Sequence, residues 1–293
     1  MKKLITIVLS IAIIFCSINF YTVQAENIEV TVSYDGNVKI LSNIPTEYLK
    51  SEQNKRDSST VIENFLKEIG YSETQIEKLS DKAINEYINA KKIYSISIND
   101  SRKKSRAIID EGTLEIDTTK VEGVFSVIER PNKLNGKTAF VLKTVIDWKS
   151  TPVCRLTDII AMAWSGGNSM SAGSTNSRCT MTYDRARYQN GDLLERVNDM
   201  DATSSCNEVN YFPGYAAEYN IPTDIFFNYT DFHLEAETMI TAEDDFIACS
   251  GYGHQIIAGT PSVSVSSDET GSIGIEFNKK MDDFYFGIIR VFF

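Results

Sequence analysis

Alternation of apolar and polar side chains is the feature of this sequence that most restricts its fold. Between residues 140 and 148, one face of an extended chain carries Phe140, Leu142, Thr144, Ile146 and Trp148. The opposite face carries Val141, Lys143, Val145 and Asp147. A period of two with one strongly apolar face is typical of a half-buried β-strand. Similar runs recur around 179–183, 232–240, 263–277 and 284–293, with little helical periodicity between them.

Short strands at fairly even spacing, separated by turn residues, are typical of a β-sandwich and not of an α/β fold. We therefore predict an antiparallel β-sandwich over residues 107–293. Leu156–Trp164 is mostly apolar on both faces, which predicts a central strand. Phe284–Phe293 is apolar on both faces as well, and it is predicted to lie inside a sheet rather than at an edge. Thr203–Pro222 is less regular and is predicted to be a loop.

Residues 26–106 are organised differently. Alternating residues flank Asp35-Gly36, and an Asp-Gly pair between such runs is a strong hairpin signal. Ser72 and Gln75 have the spacing of a helix capping box, and Ser80 is placed to cap the next helix. The sequence therefore predicts a small hairpin-plus-helices segment before the sandwich.

A basic cluster of Arg102, Lys103, Lys104 and Arg106 marks the junction between the two parts. The charges balance before it, and acidic residues prevail after it, so that the whole chain has a net charge of −11. One interpretation is a solvated loop. The other is a processing site that releases residues 26–106 as a prosegment.

The first 25 residues have the order of a secretory signal peptide. Lys2-Lys3 precede an apolar run over Leu4–Phe20, and Val23-Gln24-Ala25 supplies the small residues of a cleavage site. The run is too short and too early for a lasting membrane span. We predict cleavage after Ala25 and a secreted, extracellular protein. Its acidity opposes nucleic acid as a partner, because phosphate backbones repel it.

Export affects the interpretation of the cysteines. Cys16 leaves with the signal peptide, and an even number remains: Cys154, Cys179, Cys206 and Cys249. Outside the cell this predicts two disulfides, and of the three possible pairings chain order favours Cys154–Cys179 with Cys206–Cys249. Zinc is the less favoured alternative because no two cysteines are closely spaced. Free buried thiols are the other.

Few residues are candidates for chemistry. His233, Glu235 and Glu237 would share one face of a strand, either as a metal or acid/base cluster or as an ordinary solvated face. His254, in Gly251–Gln255, is a weak candidate for a catalytic base. The chain contains neither a G-x-S-x-G nor an H-E-x-x-H motif. We therefore predict no catalytic set, no metal and no cofactor.

Two further segments suggest binding. Aromatic residues crowd the region Tyr211–Tyr229, either as a surface for sugar rings or a protein partner, or as a plug for the sandwich. The small polar and apolar residues of Ser262–Phe277 have the texture of membrane-inserting hairpins. Its arms of about six residues are shorter than the ~9–11 that span a bilayer.

Several short motifs resemble a known group of proteins. They are Trp148-Lys-Ser-Thr-Pro152 followed by Arg155 and Asp158-Ile-Ile160, and Tyr252-Gly-His254 before the Ser/Val alternation. Over roughly Lys137–Phe293 the chain resembles uncharacterised secreted β-rich proteins of Gram-positive bacteria. The resemblance implies a secreted β domain and brings no known activity.

The sequence taken together predicts a non-enzymatic extracellular protein that binds a protein or a glycan. The motivation is a well-patterned core without a convergent catalytic set. A secreted pore-forming or antibacterial toxin is the first alternative, and an extracellular hydrolase is the second. A stable membrane span is not expected after signal removal.

Overall fold

The structure is a computed structural model. It describes residues 21–25, 28–54, 59–98, 120–152, 156–166, 168–169, 176–211, 214–267, 273–279 and 281–293. The apolar run of the signal peptide, the basic cluster and Cys154 lie outside these residues. Cleavage after Ala25, processing near Arg106 and a disulfide to Cys154 therefore stay predictions.

The described residues contain four α-helices: α1 (Thr46–Gln53), α2 (Ser59–Ile69), α3 (Glu73–Lys78) and α4 (Asp81–Ile88). The strands before residue 170 are β1 (Tyr21–Ala25), β2 (Ile28–Asp35), β3 (Val38–Ser42), β4 (Lys92–Ser97), β5 (Val121–Glu129), β6 (Thr138–Trp148), β7 (Thr157–Ser165) and β8 (Asn168–Ser169). The later strands are β9 (Ser177–Gln189), β10 (Asp192–Asp201), β11 (Cys206–Tyr211), β12 (Gly214–Asn220), β13 (Asn228–Ala242), β14 (Phe246–Gln255), β15 (Val263–Ser267), β16 (Ile273–Phe277) and β17 (Met281–Val291). A 3₁₀ turn, Thr203–Ser205, precedes β11.

These strands form a mainly β fold with a sandwich at its centre, as predicted. The larger sheet has the order β1-β2-β3-β4-β5-β6-β13-β9-β10, with β8 paired to β13. The smaller sheet has the order β11-β12-β7-β14-β17, and β15-β16 form a separate two-stranded sheet. All the pairs between the described strands are antiparallel.

Three apolar interfaces hold the layers together. The central one lies between the inner faces of the two sheets and includes Phe140, Trp164 and Phe232. A second lies between the helices and the outer face of the larger sheet. A third lies between the smaller sheet and the β15-β16 hairpin. The order of layers is therefore helices, larger sheet, smaller sheet and hairpin.

Local signals in the N-terminal segment are confirmed. Asp35 pairs with Val38 across the β2-β3 turn, and Gly36 there has a φ of +63°, which glycine adopts readily. The Ser72 side chain accepts from the Gln75 backbone N–H, and the Gln75 side chain accepts from the Ser72 N–H. The Ser80 side chain caps α4 by accepting from the Ala83 backbone N–H.

The N-terminal segment extends the larger sheet. Strand β4 pairs with β5 along its whole length, which joins the predicted segment to the predicted sandwich. Helix residues such as Phe65 and Tyr87 share a core with Val124 and Val145 of the sandwich strands. Strand β1 lies at the outer edge, so cleavage after Ala25 leaves β2 as the edge strand.

Two element predictions were wrong. The predicted loop Thr203–Pro222 contains β11 and β12, and its inward residues Tyr215 and Tyr219 are buried in the central core. The final strand β17 lies at an edge of the smaller sheet, not inside it. Its inner face, with Phe286, Ile289 and Val291, packs across the sandwich toward β4 and β5. Tyr285 and Ile288 on the other face are exposed.

Candidate functional site

The first candidate cluster lies on β13. His233, Glu235 and Glu237 do share one face of the strand, as the alternation predicts. The solvated-face interpretation is wrong, because helices α3 and α4 cover this part of the sheet. His233 and Glu235 are only 2% and 3% exposed.

Basic side chains pair with these acids beneath the helices. Lys143 on β6, opposite Glu237 in the register, is fully buried. Its Nζ lies 2.6 Å from Glu235 Oε2 and 3.2 Å from Glu237 Oε2. Lys82 of α4 adds a contact of 2.8 Å to Glu237 Oε1, and Arg178 of β9 reaches the same oxygen at 3.3 Å. The carboxylates are therefore paired and hydrogen-bonded, which is what burial of charge requires.

His233 lies between two carboxylates. Its Nδ1 is 2.8 Å from Asp147 Oδ1, and its Nε2 is 3.0 Å from Glu235 Oε1. Both ring nitrogens can donate only in the imidazolium form. Burial by itself lowers the pKa of His233, but the Asp147 charge and the two hydrogen bonds outweigh it and raise the pKa to about 9. The ring is therefore a cation at neutral pH.

This cluster attaches the helices to the sheet. Gln75 of α3 donates to Asp147 Oδ2 at 2.9 Å, and Lys78 lies 3.6 Å from Asp147 Oδ1. Among the described residues, no group of three or more His, Cys, Asp or Glu side chains has the arrangement of a metal site. The three predicted metal or acid/base candidates are thus brought together, and their contacts link the helical layer to the sheet.

The second cluster surrounds His254 at one end of the central core. His254 Nδ1 lies 2.6 Å from Asp158 Oδ1, and Asp158 Oδ2 accepts from Trp148 Nε1 at 3.2 Å and from the Tyr252 hydroxyl. Burial lowers the pKa of His254, while the Asp158 charge and hydrogen bond raise it more. The ring also packs edge-to-face on Trp148, with centroids 4.8 Å apart.

The His254–Asp158 pair supplies two of the three members of a catalytic triad. In the described part of the chain, no serine, threonine or cysteine is hydrogen-bonded to either histidine. Ser250 instead exchanges a hydrogen bond with Thr144 at 2.7 Å and donates to the Ala161 carbonyl. Two surface clefts beside the helices are lined by residues of the helices, of the β5-β6 connection and, at Ala139 and Met239, of the larger sheet, and neither of them contains a histidine.

Chain order suggests two disulfides, and only Cys206–Cys249 lies wholly within the described residues. This disulfide is not formed. Cys179, Cys206 and Cys249 are free thiols. Cys206 is on β11 and Cys249 on β14, with two strands between them, which separates the strands by about 14 Å at ~4.8 Å per step. A disulfide needs Cα atoms within ~7 Å. The pairing of Cys206 with Cys249 was therefore wrong, and any pairing of Cys154 stays a prediction.

The aromatic region is mainly part of the core. Tyr215, Tyr219 and Tyr229 are buried between the sheets, as the plug interpretation predicts. Phe227 is half-buried beneath the Arg185 guanidinium, 4.5 Å from the ring centroid. Phe226 differs, because it is 68% exposed.

Phe226 belongs to a group of exposed apolar residues at one end of the molecule. We call this group the apolar tip, and it consists of Tyr188, Leu193, Leu194, Ile225 and Phe226. The first three lie at the end of the β9-β10 hairpin, where Leu193 pairs with Tyr188 and a β-bulge inserts Leu194. Every residue of β10 except two is exposed, so none of the described elements covers the hairpin here.

The topology brings the other two residues to the same end. Strand β13 runs antiparallel to β9, and its first residue, Asn228, pairs with Ala186. The loop before β13 therefore lies beside the outer part of the β9-β10 hairpin. A hydrogen bond of 2.8 Å from the Phe226 N–H to Asp224 Oδ1 holds this loop in an Asx turn. Ile225, which is 89% exposed, projects from it. The sequence pattern identified the aromatic residues of this loop, but it did not predict that the end of the β9-β10 hairpin lies beside them.

The β15-β16 hairpin covers the outer face of the smaller sheet. The face beneath it is lined by small residues, among them Ala161, Ala163 and Gly253. Gly253 has no side chain, and a Cβ there would lie 2.7 Å from the Phe277 ring. The hairpin is a separate sheet and is held by side-chain packing. The segment Ser262–Phe277, with its alternating small polar and apolar residues, therefore forms a two-stranded ribbon that is docked on the smaller sheet.

The sequence matches no protein family and no curated protein. Among solved structures, it is similar to a pore-forming protein, with 8% identity, a TM-score of 0.31 and coverage of 68% of this chain and 91% of that one. Clostridium perfringens delta-toxin shows 8% identity and a TM-score of 0.29, over 89% of this chain and 93% of the toxin.

A surface-protein domain is similar as well. The C-terminal domain of the Streptococcus agalactiae AgI/II polypeptide BspA shows 8% identity and a TM-score of 0.24, over 45% of this chain. The chain spans about half of that domain, 53% of its length. These neighbours are bacterial surface-protein domains and toxins, and a Gram-positive secreted family stays a prediction. At such TM-scores the likenesses carry no argument about function. Within the described residues, no helix is long and apolar enough to cross a membrane.

Proposed function

We propose that this chain is an exported, non-enzymatic protein that attaches to a lipid–water interface through the apolar tip. One observation carries the proposal: two separate segments place exposed aliphatic and aromatic side chains at the same projecting end. Exposed apolar side chains grouped at one end of a molecule are typical of interaction sites in soluble proteins. Amphipathic residues such as Tyr188 are favoured where one side is apolar and the other wet.

The size of the tip favours lipid over a protein partner. A stable protein interface buries about 800 Å² per partner and involves ~20–30 residues on each side. The tip presents five side chains. Insertion into the boundary of a bilayer needs no complementary surface, because binding strength grows with the apolar area that enters the lipid.

The charges predict which lipid. The outer part of the β9-β10 hairpin balances its three arginines with three acids: Arg185, Arg187 and Arg196 against Asp184, Asp192 and Glu195. The whole chain is acidic, with a net charge of −11, which opposes anionic surfaces. We therefore expect attachment to zwitterionic lipid such as phosphatidylcholine.

Vesicle flotation tests the proposal. Protein starting at Glu26 is expected to float with phosphatidylcholine vesicles, and the double variant Ile225→Ser/Phe226→Ser is expected to lose at least about ten-fold in vesicle-bound fraction, since each buried side chain contributes ~1.5–3 kcal/mol. The matched control is Ile288→Ser, because Ile288 is an exposed apolar residue on β17, outside the tip. Equal flotation of the double variant, or no flotation of the wild type, would refute lipid attachment. Specific capture of a protein or glycan by the tip would favour those partners instead.

A pore-forming toxin is the second candidate. The element that it would release is the docked β15-β16 hairpin, although its five-residue strands are shorter than the ~9–11 residues that span a bilayer. The hairpin shares no backbone ladder with the smaller sheet in the described residues. Its release would therefore break no β-ladder between the described strands of the two sheets. Dye release from the same vesicles tests this candidate. Flotation without dye release at micromolar protein would support attachment and count against a pore.

A further inference from the structure

A pair of cysteines lies where the two sheets of the sandwich meet, away from both histidine clusters. Cys179 is on β9 of the larger sheet and points into the central core, with 6% of its surface exposed. Cys206 begins β11, the edge strand of the smaller sheet, and is half-buried against the same core. Neither thiol takes part in the lipid attachment proposed above.

Two flanking contacts bring these cysteines together. The Ala202 N–H donates to the Met181 carbonyl at 2.8 Å. The Ser177 hydroxyl donates to Glu208 Oε2 at 2.9 Å. The stretch from Ala202 to Glu208 therefore runs antiparallel past the stretch from Met181 to Ser177.

Each cysteine lies inside one of these stretches, so that Cys206 passes beside Cys179. Interaction with the neighbouring Cys206 thiol lowers the pKa of Cys179. Interaction with Cys179, together with burial, raises the pKa of Cys206. A lowered pKa favours the thiolate, which is the form that reacts with disulfides.

We propose that Cys179 and Cys206 form a disulfide that joins the two sheets when the exported protein meets a disulfide oxidant. This pairing differs from both pairings that chain order suggests. It leaves Cys249 as a thiol, because Cys249 faces the β15-β16 hairpin on the other side of the smaller sheet. The proposal does not depend on lipid attachment.

The chemistry is a thiol–disulfide exchange with a small-molecule or protein disulfide. One cysteine thiolate attacks the oxidant's S–S bond, forming a mixed disulfide and expelling one thiolate. The second cysteine thiolate then attacks the protein sulfur of the mixed disulfide and expels the other thiolate. Two electrons and two protons pass from the cysteine pair to the oxidant, which leaves as two thiols.

Peptide mapping after incubation in glutathione disulfide tests the pairing in the whole exported chain. Trypsin separates Cys154 and Cys179 into different peptides, but no Lys or Arg lies between Arg196 and Lys279. A glutamate-specific protease is therefore added, because Glu208 and Glu243 separate Cys206 from Cys249. We expect a reducible cross-link between the peptides of Cys179 and Cys206. A cross-link of Cys179 to Cys154, or free thiols at both Cys179 and Cys206, would overturn the proposal.

Thermal unfolding gives an independent readout. A disulfide between Cys179 and Cys206 closes the loop of chain that runs from one cysteine to the other. Its formation is expected to raise the unfolding midpoint by about 5–10 °C. Cys206→Ser should abolish that rise, and the matched control Cys249→Ser should retain it. Thiol titration of the native Cys206→Ser variant shows whether it still folds. An equal rise in both variants would contradict the pairing.

Discussion

At the scale of single residues, the buried charges on the outer face of the larger sheet are the least expected feature. Lys143 is a lysine with no exposed surface, and it lies between Glu235 and Glu237. Removal of one member of such a group leaves an uncompensated buried charge, which typically costs 3–5 kcal/mol. The sequence placed His233 beside these glutamates, but nothing in its local pattern distinguishes a solvated face from one covered by helices.

The protonation of His233 predicts a pH dependence of stability. Its pKa in the folded protein is about 9, above the ordinary value of 6.5. Because the pKa is raised by folding, protonated His233 contributes its full stabilisation to the folded state below about pH 6.5. This contribution to the free energy of unfolding is lost as the pH rises toward 9. The difference corresponds to about 3 kcal/mol at 1.36 kcal/mol per pKa unit. Chemical denaturation between pH 6 and about 9.5 measures it.

The variant His233→Gln isolates this contribution. Glutamine keeps a polar side chain but does not titrate, so the variant should be less stable at pH 6 and should lose less stability as the pH rises. His254 titrates in both proteins and cancels in the comparison. Parallel stability curves for wild type and variant would show that His233 is not a cation in the folded protein.

At the scale of elements, local signals predicted what local forces decide. The Asp35-Gly36 turn, the Ser72 capping box and the β15-β16 hairpin all formed where the sequence indicated. Each depends on contacts within a few residues. The position of β17 was predicted wrongly because it depends on contacts between distant parts of the chain. Whether a strand lies at an edge or in the interior of a sheet is decided by which strands lie beside it. The β11-β12 ribbon was missed because β11 has polar residues on both faces, although Tyr215, Ala217 and Tyr219 of β12 alternate toward the core.

The docking of β15-β16 on the smaller sheet can be tested at Gly253. A Cβ at this position would lie 2.7 Å from the Phe277 ring, closer than van der Waals contact allows. We expect Gly253→Ala to displace the hairpin and to cost about 1–3 kcal/mol through overpacking. Hydrogen exchange of the β15 and β16 amides should then be faster. The control is Gly274→Ala, where the nearest atom to the added Cβ is the Ser266 hydroxyl at 3.1 Å. If the β15 and β16 amides of Gly253→Ala exchange as slowly as those of the wild type, tight docking is contradicted.

At the scale of the whole molecule, the N-terminal segment and the sandwich share one sheet and one core. Residues 28–98 supply strands β2–β4 and the helices that bury the outer face of β5 and β6. The charged cluster adds polar links from Gln75, Lys78 and Lys82 to the sheet. Release of this segment would expose both a hydrophobic face and buried charges. Processing at the basic cluster, if it occurs, is therefore expected to cut the chain without separating the parts.

Limited proteolysis with trypsin tests this expectation. Cleavage at Arg102–Arg106 should give two fragments on a denaturing gel that elute together in native size-exclusion chromatography. Addition of denaturant should separate them, because the shared core holds them together. Elution of a free sandwich fragment under native conditions would instead support release of residues 26–106 as a prosegment.

The sequence alone determined the class of fold, the turns and the helix caps, because strand alternation and capping are properties of neighbouring residues. Only the tertiary structure decided which alternating faces are covered, which charges are paired and which segments share an end of the molecule. His233 became a buried cation through residues of β6, and Ile225 joined the apolar tip through the antiparallel pairing of β9 and β13. Such contacts join residues far apart in the chain, so their partners follow from the packing of the sheets and not from any local pattern.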